Sequence, residues 1–249
     1  MTGSVALGRA RVIEMVRIRK IMKVLLAIFG LWMIAVQPEV SAAASFQELD
    51  SRILASDLVL KDALGMPDRG IPKDLLQRCR GLAIFPAVVK VGLVLGVSFG
   101  TGIVVKRDEK TGEWSRPAFF NIRGGSVGVQ AGAQATDLVL LVMNEEGVEG
   151  LLEDKFTLGA DVSVAAGPIG RQASAETSVR LDSGILSYSR SKGLFAGLAL
   201  KGAALEPDNE ANEIYHGKGI TVQDVFYEGK GSLSDNARIL IGTLGDATR

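Results

Sequence analysis

From Ser45 to Leu64 apolar residues recur at near-helical spacing (Phe46, Leu49, Ile53, Leu54, Leu58, Leu60) until Gly65 and Pro67 stop the pattern. Ser45 and Glu48 stand three apart at its start, the spacing of a capping box. The pattern predicts an amphipathic helix with an acidic polar face of Glu48, Asp50, Asp57 and Asp62. An interfacial helix would carry Lys and Arg there, so packing on a core is favoured over a membrane-surface role. Pro72 followed by Lys73 to Arg80 predicts a short second helix ended by Gly81.

The pattern then changes period. Leu82 to Phe85, Val88 to Lys106, Ala118 to Ile122, Ser126 to Gln134 and Leu138 to Met143 are rich in Val, Ile, Leu and Phe and punctuated by Gly. They predict antiparallel strands, with Asp108 to Glu113 as a hairpin turn. Gly92, Gly96 and Gly100 have the spacing of membrane helix-dimer motifs, but the surrounding β-branched residues favour strand. Glycines there fit sharp sheet curvature or a ligand chain lying close to the backbone. Glu145 to Lys155 predicts a short acidic helix, Phe156 to Ala166 a strand, and Gly170 to Thr177 the next turn. Glu206 to Tyr215 predicts a helix with Pro207 in its first turn, and Thr221 and Ser234 cap two more. The fold class is therefore α+β: a curved, largely antiparallel, Gly-rich and barrel-like sheet flanked by short helices, behind an N-terminal amphipathic helix.

Charge divides the chain unevenly. Lys plus Arg equal Asp plus Glu at 28 each, yet the first 44 residues hold six basic and two acidic residues, which leaves the remainder near −4. Bulk charge thus argues against nucleic acid as a partner. In those first residues a basic stretch (Arg17 to Lys23) precedes an apolar one (Val24 to Val36) and small residues (Ser41 to Ala44), the order of a secretory signal peptide. Cleavage is expected after Ala42 or Ala44, with retention as an anchor the alternative; Met15 and Met22 are further possible starts. The expected layout is a signal peptide over 1–44, one domain over 45–249, and a periplasmic or secreted location, peripheral on a membrane.

Candidate chemistry is sparse. Cys79 is the sole cysteine and His216 the sole histidine, so neither a disulfide nor a zinc site can be assembled, and no cofactor is expected. Cys79 reads as a buried structural thiol. No nucleophile elbow, HExxH or phosphate loop is present, so no enzyme is expected. Asp137 and Asp161 are available carboxylates, for which turn or buried hydrogen-bonding roles are favoured. One cluster stands out, in a predicted hairpin from Gly184 to Gly202. If it stays extended, Tyr188, Arg190 and Lys192 share one side and Ser187, Ser189 and Ser191 the other. The first three could grip an anionic headgroup, or be an ordinary solvated edge whose charges deter aggregation.

The segment Ser187-Tyr-Ser-Arg-Ser-Lys-Gly-Leu-Phe-Ala-Gly197 resembles the SYLF domains, and four further segments agree in order: Gly81 to Pro86, Lys90 to Leu93, Trp114 to Phe119 and Leu158 to Pro168. The resemblance covers about residues 71 to 227. It implies lipid binding, with actin binding in some fungal members, and it favours the headgroup reading of the cluster. The expected lipid-binding set is Tyr188, Arg190, Lys192, Arg171 and Lys90, with anionic phospholipid as partner. A structural or protein-interaction module of the cell envelope is the alternative.

Overall fold

A computed structural model describes residues 44–66, 70–92, 95–127, 132–168, 183–191, 194–197 and 200–249. The expected signal peptide and the turn carrying Arg171 lie outside these residues, as does Lys192. Helix α1 (Phe46–Leu64) and α2 (Lys73–Arg78) precede strands β1 (Gly81–Gly92), β2 (Leu95–Lys106), β3 (Ala118–Val127) and β4 (Gly132–Val142). Then come α3 (Glu145–Gly150), β5 (Phe156–Thr157), β6 (Val164–Ala166), β7 (Ile185–Ser191), β8 (Leu194–Gly197) and β9 (Ala204–Pro207). Helices α4 (Asn209–His216), α5 (Val222–Tyr227) and α6 (Asp235–Ala247) end the chain.

Among the described residues the strands form one nine-stranded sheet in the order β5-β9-β3-β2-β1-β4-β7-β6, with β8 added against β7. Every pairing is antiparallel except that of β6 with β7. Its two edge strands, β5 and β6, follow each other closely in sequence, so the sheet curls into a half-barrel, as the glycine-rich pattern predicts. Gly100 and Gly102 show why glycine is needed. A Cβ on Gly100 would come within 2.8 Å of Val88 Cγ2, and one on Gly102 within 2.2 Å of the Ile84 carbonyl oxygen. The protein's own curvature accounts for both positions without a ligand.

Both faces of the sheet are covered. On the helical face Leu82, Ile84, Ile103, Val105, Phe119, Val139, Leu141, Leu186 and Tyr188 pack with α1, α2, α4 and α6. On the second face Phe85, Val104, Phe120, Leu140 and Ile185 pack with α3, α5 and the segment from Phe156 to Val164. Near-continuous apolar strands are the sequence mark of such two-sided burial.

Several boundaries differ from the sequence reading. The run Val88 to Lys106 is two strands, because Gly92 and Gly96 face each other across a hairpin. Phe156 to Ala166 is interrupted by a turn held by Asp161, whose carboxylate accepts the Thr157 N–H at 2.7 Å. Pro207 ends a strand, and Asp208 caps α4 by accepting the Ala211 N–H at 3.1 Å. The helix expected over Glu145 to Lys155 stops at Gly150, where the Phe156 ring occupies the space a Cβ would need.

Of the four acidic residues of α1, Asp50 and Asp57 face the protein rather than water, while Glu48 and Asp62 are exposed. Asp50 accepts hydrogen bonds from Ser234 and from Asn236 Nδ2 (2.8 Å), while Asp57, with no exposed surface, takes Thr243 Oγ1 and Lys61 Nζ, each at 2.7 Å. These contacts lay α1 parallel to α6, which settles α1 as a core-packed helix.

Candidate functional site

The strands extend past the helices at one end. β1 carries one extra residue between Phe85 and Val88, a bulge in which Ala87 adopts φ +56°. That conformation is strained for alanine. It is held by the Ala87 N–H donating to Asp137 Oδ1 at 3.0 Å. Beyond the bulge, residues 88–92 and 95–101 make a two-stranded arm, flanked by β3 and β4.

Register fixes what the arm presents. Phe99 lies opposite both Val89 and Arg123, and Val97 opposite Val91, while Val89 also faces Ala135. β2 has no bulge, so Phe99 and Val97 lie on the same face as Ile103, which is the helical face. Yet among the described residues no helix covers this end: Val97 is 61% exposed, Phe99 54% and Val91 44%. Arg123 stands beside Phe99 with its side chain 69% exposed, its nearest carboxylate, Glu206, at 3.7 Å. The result is an uncovered apolar row of one aromatic and two valines, with a cation at its rim.

Of the five residues expected to bind lipid, the three that are described do not form one exposed cluster. Tyr188 is fully buried on the helical face, its ring packed so closely on Gly167 that a Cβ there would lie 2.1 Å from Cζ. The exposed headgroup-side ring expected from sequence is thus a core residue, because the side of β7 chosen by alternation is the side that α1 covers. Arg190 does share that side. Its Nε and Nη2 donate to Asp137 Oδ2 at 2.7 and 2.6 Å, and its Nη1 pairs with Asp62 of α1. Burial alone would lower its pKa, but the hydrogen bonds to Asp137 and Asp62 outweigh that and raise it. Lys90 is half-buried on the second face, opposite Ser98 and Gln134. Lys192 and Arg171 lie outside the described residues.

Sequence reasoning missed Phe99, Val97, Val91 and Arg123. Alternation alone could not separate them from the core residues of the same strands, since what distinguishes them is the length of β1 and β2 relative to α1. Gly96, Gly100 and Gly102 gave no signal for them, since they alternate with Val97 and Phe99 and lie on the second face, where Gly100 and Gly102 meet Val88 and Phe85.

Comparison with known proteins gives the site a context. Residues 123–247 match the Ysc84 family, described as Las17-binding protein actin regulator. "LAS seventeen-binding protein 3" of Saccharomyces cerevisiae is 36% identical over 179 residues, 71% of this chain and 38% of that protein. "Protein YSC84" of the same yeast is 40% identical over 157 residues, 62% of this chain and 33% of its own length. The human "SH3 domain-containing YSC84-like protein 1" is 33% identical over 162 residues, 65% of this chain and 47% of that protein. The matches therefore span less than half the length of these relatives. With half the chain matching the family and 36% identity extending over more than two thirds of it, this chain belongs to the Ysc84 family of SYLF domains.

Proposed function

We propose that the protein is a non-enzymatic module that binds anionic phospholipid at a membrane surface, and that it does so through the uncovered arm. The observation that carries this reading is the row Val91, Val97 and Phe99 beside the exposed Arg123. An apolar surface rimmed by a cation is the chemistry of a peripheral contact with an anionic interface. Each of the three apolar side chains, already half covered by its neighbours, contributes on the order of 1 kcal/mol on entering the acyl boundary. Arg123 adds about 1 kcal/mol near an anionic surface. Lys90, Lys192 and Arg171 are further proposed headgroup contacts on this reading.

Vesicle co-sedimentation tests it. Wild-type protein is expected to pellet with phosphatidylcholine vesicles containing phosphatidylglycerol. A Val97→Asp/Phe99→Asp variant should stay in the supernatant with its melting temperature nearly unchanged, since exposed positions contribute little to folding. Equal pelleting of variant and wild type would contradict the proposal.

A protein-interaction module is the second reading, favoured by the printed names of the relatives, which describe Las17-binding and actin-regulating proteins. The basic, apolar and small-residue order of the first 44 residues supports an exported protein, periplasmic or secreted. N-terminal sequencing of the mature protein tests that part: a start at Ala43 or Ser45 is expected, and an intact N-terminus would contradict it.

A further inference from the structure

Arg190 sits where the covered part of the helical face ends and the arm begins. Its register partner is Asp137, and two residues further along β4 the same face carries Ala135, in the row of Val89, Phe99 and Arg123. Among the described residues, two carboxylates hold its guanidinium, and they have unlike standing. Asp137, with its side chain 18% exposed, takes the Nε and Nη2 edge and also anchors the strained bulge through Ala87, so it is built into the sheet. Asp62, with its side chain 52% exposed, takes Nη1 and belongs to the last turn of α1. A negative charge there faces the negative end of the helix dipole and weakens the helix that bears it. The helix gains nothing from this carboxylate except its tie to Arg190.

We propose, resting on the membrane reading above, that Asp62 occupies on Arg190 the place of a lipid phosphate. On an anionic bilayer Arg190 keeps Asp137 and exchanges the Asp62 carboxylate for a phosphate oxygen of a headgroup, a like-for-like swap of one anionic acceptor for another on a planar donor suited to both. Asp62 then turns into water. The carboxylate thereby sets the anionic-lipid density at which the protein binds: neutral surfaces leave the Arg190–Asp62 pair closed, and only a surface dense in phosphate charge opens it.

Removing the competitor should strengthen binding. Asp62→Asn is expected to lower the phosphatidylglycerol fraction needed for half-maximal pelleting and to tighten binding about fivefold, the effect of one further basic contact at the surface. Loss of a negative charge anywhere on the protein would give some gain, so the comparison is made again in an Arg190→Gln background. The proposal expects the gain there to fall to the small one shown by a Glu48→Gln control at the far end of α1; an equal gain with and without Arg190 overturns it. Should Arg190→Gln fail to fold, Arg190→Lys retains the charge without the fork and serves in its place. Unchanged binding by Asp62→Asn, with the Val97→Asp/Phe99→Asp variant unbound, overturns this inference and leaves the membrane reading intact. Failure of wild type to bind either pure phosphatidylcholine or mixed vesicles overturns both.

Discussion

His216 shows how a single side chain reports on the core. Its Nε2 lies 2.9 Å from the Pro117 carbonyl oxygen, which only accepts, so Nε2 carries the proton and Nδ1 has none. Nδ1 is buried and has no partner among the described residues. Burial, with a smaller contribution from Arg116, outweighs the hydrogen bond to Pro117 and lowers the imidazole pKa below its usual 6.5. The unfolded chain therefore takes up a proton before the folded one does, and the associated stability is complete above pH 6.5 and lost as pH falls through the folded value. Thermal melting should accordingly slope downward just below pH 6.5, and His216→Gln, which can still donate to Pro117, should flatten that slope. Tyr188 makes the same point about packing. Gly167→Ala forces a methyl group into its ring and should cost about 1–3 kcal/mol in denaturant unfolding. Cys79, read from sequence as a structural thiol, is buried with its pKa pushed up to about 12, mainly by that burial. The solvent-facing role read for Tyr188 was not legible as core, because alternation names a side of a strand and cannot say which side is covered.

Helix α1 illustrates what an element's own pattern conveys. Its start was legible down to the atom: Ser45 and Glu48 exchange the two hydrogen bonds of a capping box, at 3.3 and 2.7 Å. Its apolar periodicity was legible only in part: Leu49, Ile53 and Leu60 are buried as read, but Phe46, Leu54 and Leu58 are exposed, and Val59 and Ala63 complete the buried face. The role of its acidic residues was not legible, since Asp50 and Asp57 are read as solvated until α6, 186 residues away, supplies Asn236 and Thr243. Asp57→Ala leaves Lys61 and Thr243 without their shared acceptor and should lower stability by about 1–3 kcal/mol, measured by urea unfolding. Ser45→Ala should cost about 1 kcal/mol in the same assay. Strand boundaries were less legible than strand identity. Gly92 and Gly96 signal a hairpin only once they are known to face each other, and Asp208 outcompetes Pro207 for the start of α4 because its side chain reaches the Ala211 N–H.

At the scale of the molecule, the half-barrel was implied by glycine-punctuated apolar strands, and the family by a segment on β7. The proposed membrane surface was not, because it arises from a mismatch of lengths. β1 and β2, 12 residues each, run past the helices that cover the rest of the face, leaving Val91, Val97 and Phe99 with no covering element among the described residues. The bulge at Ala87 and its anchor Asp137 mark where covering stops, and Arg190 and Asp62 stand at that boundary. The account thus rests on the arm entering a membrane. Phe99→Cys provides the most direct measurement, because the buried, unreactive Cys79 leaves the new thiol as the one that takes an environment-sensitive fluorophore. On mixed phosphatidylcholine–phosphatidylglycerol vesicles the emission of that label should shift to the blue and be quenched by bromine atoms on the acyl chains. Emission unchanged on vesicles to which the labelled protein has sedimented would contradict the account, since the protein would then hold the membrane by another surface.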